Sequence, residues 1–350
     1  MKKKYEYGLN GLVLGAVTGA IYNVARQSPA LAVGKPFDWN AFKRDMAGGA
    51  MICGAVGFTW GAIKDYYNAR EKRIDTDREL NKRAAALALQ KSDPRYCFLR
   101  GKADQLSAYL RREYNGGLVT APTFYGSTEK GIALAKDFDI DMAVPFDASC
   151  FSTESMYDDL RGTIEEFADR YGGATVRVQN KSIGIIFQYG KSALKIDVVP
   201  LRVTDPRKSK TLGYLFVNNG GLFSSPSRTK TDLNAVQSIA LSDTQKKLMV
   251  LLKEWKRDND LPLSTYLLQT VMNDAYARNR GGVPKSLTGK LMMVVRHMES
   301  AIDKYHFYGR ENTNNCLTDF SSSERSAIAN ACRRVIKAVE YQPNDIVRYF

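Results

Sequence analysis

At 350 residues the chain is long for a single domain, and 44% hydrophobic with 25% charged residues is the composition of a globular protein. Fifty-one Lys and Arg against 37 Asp and Glu leave a formal charge of +14, which favours polyanionic partners: nucleotides, nucleic acid or an anionic membrane face. Five scattered cysteines (Cys53, Cys97, Cys150, Cys316, Cys332) with no C-x-x-C pair weigh against a disulfide framework or a cysteine-rich zinc site and favour a reducing compartment. The two histidines, His297 and His306, weigh against chemistry built on a histidine base and leave carboxylates as the natural place to look.

Two uncharged stretches, Gly8 to Ala25 and Met46 to Ile63, each match one membrane thickness of roughly 18–20 residues. Gly11, Gly15 and Gly19 recur every four residues, as do Gly57 with Gly61 and Ala50 with Gly54, a spacing that lets two helix backbones approach closely. Lys2, Lys3 and Lys4 precede the first stretch, and Lys64, Arg70, Lys72 and Arg73 follow the second. A membrane hairpin would put both basic ends on the cytoplasmic side, giving an inner-membrane protein with its larger lobe in the cytoplasm. The charged loop between the stretches (Arg26, Lys35, Lys43, Arg44) leaves open a soluble, cytoplasmic hairpin that packs on itself or on a second copy. On this reading residues 1–75 are the glycine-rich hairpin and 76–91 a charged helical linker.

Ser92-Asp93-Pro94 can start a helix with Leu99, Ala103, Leu106 and Leu110 on one face. Strand-like segments follow: Phe138 to Val144, Thr175 to Gln179, Ser182 to Gln188 and Leu194 to Val199, with a hairpin turn at Asn180-Lys181. After about residue 240 the pattern is helical. Ser242-Asp243 can cap a helix with Leu248, Leu251, Leu252 and Trp255 aligned, and Ser321-x-x-Glu324 is a capping box opening another with Ile328, Cys332, Val335 and Val339 aligned. The expected class is α+β, with a mixed-sheet catalytic core over 92–235 and a helical lobe and tail over 236–350.

Chemistry concentrates in Gly126-Ser127-Thr128-Glu129-Lys130-Gly131, followed by Asp137-Phe138-Asp139-Ile140-Asp141. Residues two apart on a strand share a face, so Asp139 and Asp141 project together while Ile140 and Met142 enter the core. Carboxylates so close repel unless a cation lies between them, and magnesium prefers oxygen ligands. Gly126 and Ser127 lie in a turn able to offer backbone N–H groups and a hydroxyl to a phosphate. A third acid, Asp197, interrupts the apolar run Leu194-Lys195-Ile196-Asp197-Val198-Val199-Pro200, where a lone buried carboxylate would be costly. Three acids on adjacent strands beside a phosphate-cradling turn suit two-metal phosphoryl chemistry with Mg²⁺ or Mn²⁺. Parity alone does not separate Asp137 from the other two, and a solvated acidic strand edge is the bland alternative.

This pattern resembles the oligoadenylate synthetase-like and bacterial cyclic-oligonucleotide synthase (CD-NTase) families of the polymerase-β superfamily. The resemblance spans roughly residues 92 to 340 and rests on Gly126-Ser127, Lys130-Gly131, the D-x-D pair and Ile196-Asp197-Val198-Val199-Pro200. That register selects Asp139 and Asp141 with Asp197 as the three catalytic metal ligands. Ile132 departs from the family's usual Thr. The resemblance also implies that Lys253 meets nucleotide phosphates, that Ser264 or Thr265 offers them a hydroxyl, that Tyr266 stacks on a base, and that Asn312 to Asn315 is a polar loop of the family. A solvent-facing Lys253 and a half-buried core Tyr266 are the plainer alternatives.

By resemblance, the enzyme would join nucleoside triphosphates into short cyclic or linear oligonucleotides that control a partner effector in anti-phage defence. A subtype similar to the DNA-oligomer-making enzyme of the Hailong defence system would need a first acceptor hydroxyl. Tyr349, beside Arg348 and past Pro343, offers one unless it and Phe350 form an aromatic plug on the core. A protein-modifying nucleotidyltransferase toxin and a membrane pore with a nucleotide-sensing lobe are the competing readings.

Overall fold

The computed structural model describes residues 2–32, 37–53, 74–171, 173–217 and 227–350. They fall into two units, residues 1–75 and 76–350.

In the first unit, helix α1 (Lys2–Ala32) packs against a second helical run, α2 (residues 39–53). Asp38 caps α2, accepting the amides of Asn40 and Ala41 at 3.0 and 2.9 Å. A Cβ on Gly19 would lie 2.3 Å from the Asp45 carbonyl oxygen, so glycine is what allows the two backbones to meet there. The buried Asn23 donates to the Asp45 carboxylate at 2.6 Å, and Gln27 accepts the Asp38 amide at 2.7 Å, so the two helices run antiparallel. Among the described residues no helix is long and apolar enough to cross a membrane. The expected first span therefore is not supported: glycines, alanines and polar Asn10, Thr18 and Asn23 dilute the apolar character of α1. The second expected span, Met46 to Ile63, lies outside the described residues from 54 onward.

The second unit begins with α3 (Thr76–Leu87), which sequence patterning suggests is an exposed linker. It is instead an integral core helix with Leu80 and Ala84 buried among the helices of the C-terminal half. Asp77 fixes it there, accepting the amides of Leu287 and Thr288 at the start of a later helix at 3.0 and 2.8 Å. Helix α4 (Pro94–Glu113) opens where expected, with Asp93 as its cap, and buries Leu99, Ala103, Leu106 and Leu110.

Strand β1 (Thr123–Tyr125) leads into the short helix α5 (Gly126–Glu129), then β2 (Asp139–Asp147). Helix α6 (Thr153–Arg170) buries Met156, Leu160, Ile164 and Phe167 and carries the chain to β3 (Thr175–Val178), β4 (Ile183–Tyr189) and β5 (Ser192–Val203). The sheet order is β1-β2-β5-β4-β3, with β6 (Leu212–Val217) pairing β5 and β7 (Ser227–Asp232) pairing β6. Asn180 and Lys181 form the β3–β4 turn, closed by Val178 opposite Ile183. The α6 crossover to β3 and the antiparallel β3–β4–β5 meander leave β2 and β5 parallel neighbours, setting Asp139 opposite Lys195 and Asp141 opposite Asp197.

After α7 (Leu233–Gln237), four long helices build the second lobe: α8 (Asp243–Asp258), α9 (Thr265–Arg278), α10 (Leu287–Lys304) and α11 (Ser322–Tyr341). Ser242 and Ser321 cap α8 and α11 as the sequence predicts, and both prove to be capping boxes, with Gln245 and Glu324 as their partners. A last turn, α12 (Ile346–Tyr349), lies on this lobe. Phe350 is fully buried, its ring centroid 5.7 Å from that of Trp255, and Arg83 of α3 donates to the Val347 carbonyl at 3.1 Å. Residues 346–350 are thus docked on the core rather than extended as a free tail. Phe350→Ala should lower unfolding free energy by about 3 kcal/mol, the usual cost of deleting a buried aromatic ring. Chemical denaturation checks this, and a loss under about 1 kcal/mol would mean that the segment contributes little to the core.

Candidate active site

The register of β2 and β5 builds the site. Asp139 and Asp141 on β2 and Asp197 on β5 lie on one sheet face, while Ile140, Met142, Ile196 and Val198 fill the core on the other. One carboxylate oxygen from each acid lies within 4.8 Å of the others. Asp137 falls outside this trio because β2 starts at Asp139, which resolves the parity ambiguity.

Tyr125 pairs with Asp141 across β1–β2, so the chain turns at Gly126 against the Asp141 carboxylate. Gly126 has φ +81°, and a Cβ there would lie 1.8 Å from Asp141 Oδ2, so both its conformation and its lack of a side chain are required. Asp197 is braced from β3–β4. Gln179 Nε2 donates to Asp197 Oδ1 at 3.0 Å, and Ser182 Oγ donates to Gln179 Oε1 at 3.0 Å. Gly184, opposite Asp197 in register, leaves room for that amide, since a Cβ there would be 2.8 Å from Gln179 Nε2. Lys195 Nζ lies 2.7 Å from Asp197 Oδ2 and 3.5 Å from Asp139 Oδ2.

Burial pushes the Asp141 carboxyl up to about 7, with the charges of Asp139 and Asp197 adding to the effect. Burial also raises Asp139, against the pull of Lys195. A clustered, desolvated set of hard oxygen donors, kept open by a missing Cβ, fits a divalent cation such as Mg²⁺ or Mn²⁺.

A cavity of about 540 Å³ opens beside the carboxylates, between sheet and helical lobe. Gly126, Ser127, Asp139 and Asp141 line one side; Lys130, Lys253, Lys256, Thr265, Tyr266 and Gln269 are among the residues lining the rest. Each of the three ammonium groups rests on a carbonyl: Lys253 on Ile132 at 3.0 Å, Lys256 on Leu263 at 2.6 Å, Lys130 on Val236 at 2.8 Å and on the Gln269 side chain at 3.0 Å. None is in an ion pair among the described residues. Burial lowers all three, Lys253 to about 8. Half-buried cations without carboxylate partners beside an open cavity make an anion-binding wall.

Lys253 is therefore not the solvent-facing lysine of the plainer alternative. Ser264 is committed as the cap of α9, accepting the Leu267 amide at 3.0 Å, whereas Thr265 lines the cavity. The Tyr266 hydroxyl donates to Glu311 at 2.7 Å and accepts the Arg310 amide at 2.8 Å, which fixes its ring at the cavity wall. Asn312 donates to the Lys230 carbonyl at 3.1 Å, so the polar loop braces β7 and does not line the cavity. Tyr349 is half-buried on the helical lobe and also outside the cavity lining. Sequence reasoning missed Lys256, Gln269, Gln179 and Lys195. Helical spacing from Lys253 and Tyr266, and strand parity with Asp197, were the signals that point to three of them.

Two outcomes follow from this geometry. Gly126→Ala should displace Asp141 and weaken Mn²⁺ binding by roughly tenfold or more, because a left-handed backbone and a steric clash act together; calorimetric titration measures it, and unchanged affinity would sink the account. With metal chelated, the unfolded Asp141 carboxyl loses its proton near pH 4 while the folded one keeps it to about 7. The unfolded state thus binds fewer protons between these values, and stability falls as pH rises through that window. Asp141→Asn should then raise the melting temperature at pH 8 by roughly 2–5 °C and leave it nearly unchanged at pH 4.

No family model and no curated protein matches the sequence. Solved structures do match its fold. CdnC of E. coli MS115-1, solved with ATP, is 19% identical with TM-score 0.59, covering 78% of this chain and 95% of its own. The Bradyrhizobium diazoefficiens CD-NTase CdnG, in complex with GTP, is 14% identical with TM-score 0.59, covering 79% and 95%. The Cid1 poly(U) polymerase, with Mg and 3'-dATP bound, is 12% identical with TM-score 0.54, covering 80% and 99%. At these identities the likeness is one of architecture, and the chain has the nucleotidyltransferase fold that these CD-NTases and the Cid1 poly(U) polymerase share.

Proposed function

We propose that the chain is a metal-dependent nucleotidyltransferase that joins nucleoside triphosphates into short oligonucleotides, cyclic or linear, which control a partner effector in defence against phage. One observation carries this reading: two of the three clustered carboxylates, Asp139 and Asp141, line a cavity together with three ammonium groups that have no ion-pair partner among the described residues. A triphosphate with its divalent cations is complementary to both halves of that charge pattern.

Asp139, Asp141 and Asp197 would hold two Mg²⁺ or Mn²⁺ ions, which acidify the attacking hydroxyl and neutralise charge at the transferred phosphoryl. The chain's own groups do the rest. Gln179 and Ser182 hold Asp197 in one orientation. Lys130, Lys253 and Lys256 would neutralise the triphosphate, with Ser127 and Thr265 offering hydroxyls to it. Tyr266, pinned through its hydroxyl, presents a ring on which a base can stack at little entropic cost.

The likeness to both a CD-NTase with GTP and a poly(U) polymerase supports cyclic and linear products alike. In the linear reading, a first bond on Tyr349 would require α12 to lift and expose Phe350. The apolar residues that α1 exposes, among them Leu14, Val17 and Ile21, support a hairpin that meets a second copy of itself.

Incubation with labelled triphosphates and Mg²⁺ or Mn²⁺ tests the reading. Soluble oligomers or label on the chain's own Tyr349 indicate a synthase, label on a different protein a modifying enzyme, and binding without turnover a sensor. Asp139→Asn combined with Asp141→Asn should lower product formation by about a thousandfold or more with the fold intact, since both ions lose ligands. Retained turnover by the folded double mutant would refute the metal assignment.

A further inference from the structure

We infer that Lys195 is a built-in counter-ion that holds the three-carboxylate cluster together before metal arrives and gives up its place when metal binds. The inference rests on the metal assignment above and adds a residue that this assignment does not use.

Lys195 shares strand and parity with Asp197 and stands directly opposite Asp139 in the parallel register. Its side chain has no alternative direction while β5 keeps its pairing, because one residue either way would turn it into the apolar core. Its ammonium contacts Asp197 Oδ2 at 2.7 Å and Asp139 Oδ2 at 3.5 Å. These are two of the three acids whose oxygens lie within 4.8 Å of one another. A single cation bridging two ligands of that cluster occupies part of the electrostatic well that a divalent ion would use.

The other oxygens of the cluster are differently placed. Asp197 Oδ1 is held by Gln179, a neutral amide that does not compete for charge. Asp141 has no ion pair among the described residues. Lys195 is therefore the one described cation in direct contact with the trio. Lys253 reaches instead to the Ile132 carbonyl. One third of the Lys195 side chain is exposed, so its flexible stem can carry the ammonium into water without unfolding anything. Displacement by a doubly charged ion with several oxygen ligands is favourable, while a monovalent ammonium keeps the metal-free site from flying apart.

Two consequences distinguish this role from that of a lysine that merely supports the strand. Removing the charge should destabilise the metal-free protein, and it should tighten metal binding, because the competitor is gone. A lysine that stayed in place and oriented the carboxylates would do the reverse to affinity.

The test uses the full chain as wild type, Lys195→Met and Lys195→Arg, with Mn²⁺ titrated calorimetrically and thermal melting followed in chelator and in saturating Mn²⁺. Lys195→Met should lower the metal-free melting temperature, recover it in Mn²⁺, and bind Mn²⁺ about three- to tenfold more tightly than wild type, as expected for loss of one partly exposed charge contact. Lys195→Arg, which keeps the charge, should stay near wild type in chelator. Equal or weaker Mn²⁺ binding by Lys195→Met, while wild type binds normally, overturns the inference and leaves the metal assignment standing. Absence of Mn²⁺ binding by wild type overturns both.

Discussion

Repulsion among Asp139, Asp141 and Asp197 is the constraint to which the rest of the 76–350 unit answers. The α6 crossover to β3, followed by the antiparallel β3–β4–β5 meander, leaves β5 parallel to β2, and their register then sets acid against acid on one face. At about 4 Å two such charges repel by about 1 kcal/mol in water and several times more in a partly buried site. The surrounding residues each blunt that cost in a different way. Lys195 supplies charge, Gln179 an oriented amide, and Gly126 empty space, while Asp141 keeps its proton up to about 7. A carboxylate cluster so uncomfortable without a cation, backed by the apolar core of Ile140, Met142, Ile196 and Val198, is costly to the fold unless a cation joins it.

The sequence disclosed those parts whose physics is local. Period-two alternation placed Asp139 and Asp141 on one face, and Asp197 stood out as a carboxylate in an apolar strand. Ser242 announced one helix as a cap and Ser321 another through its capping box. What stayed hidden depends on pairing between distant segments. Leu80 and Ala84 make only a narrow stripe on a charged α3, so its burial against the later helices is not visible from composition. Nothing local says that Lys195 faces Asp139, or that Gln179 reaches Asp197 through the gap left by Gly184. Tyr349 and Phe350 read equally as a reachable end or an aromatic plug until Trp255 is known to lie against Phe350. The apolar length of α1 suggests a membrane span, yet length alone ignores how little glycine and alanine contribute to transfer into lipid.

The charge pattern of the cavity divides between the two layers that enclose it. The sheet contributes Asp139 and Asp141, the helical lobe Lys253 and Lys256, and Lys130 reaches from α5's end to Val236 and to Gln269 of α9. Lys253 joins the layers by donating to the Ile132 carbonyl just beyond α5. An ammonium with only carbonyl partners is electrostatically unsatisfied, which keeps it available to an anion. Any ligand that bridges both sides must then carry concentrated negative charge near the lysines and cationic charge at the carboxylates. A bare nucleoside meets neither demand, and a metal-free triphosphate meets only one. The metal-complexed triphosphate meets both, so in the proposed reaction binding of the ion and of the nucleotide should reinforce each other: each removes the like-charge repulsion that the other would meet on entering alone.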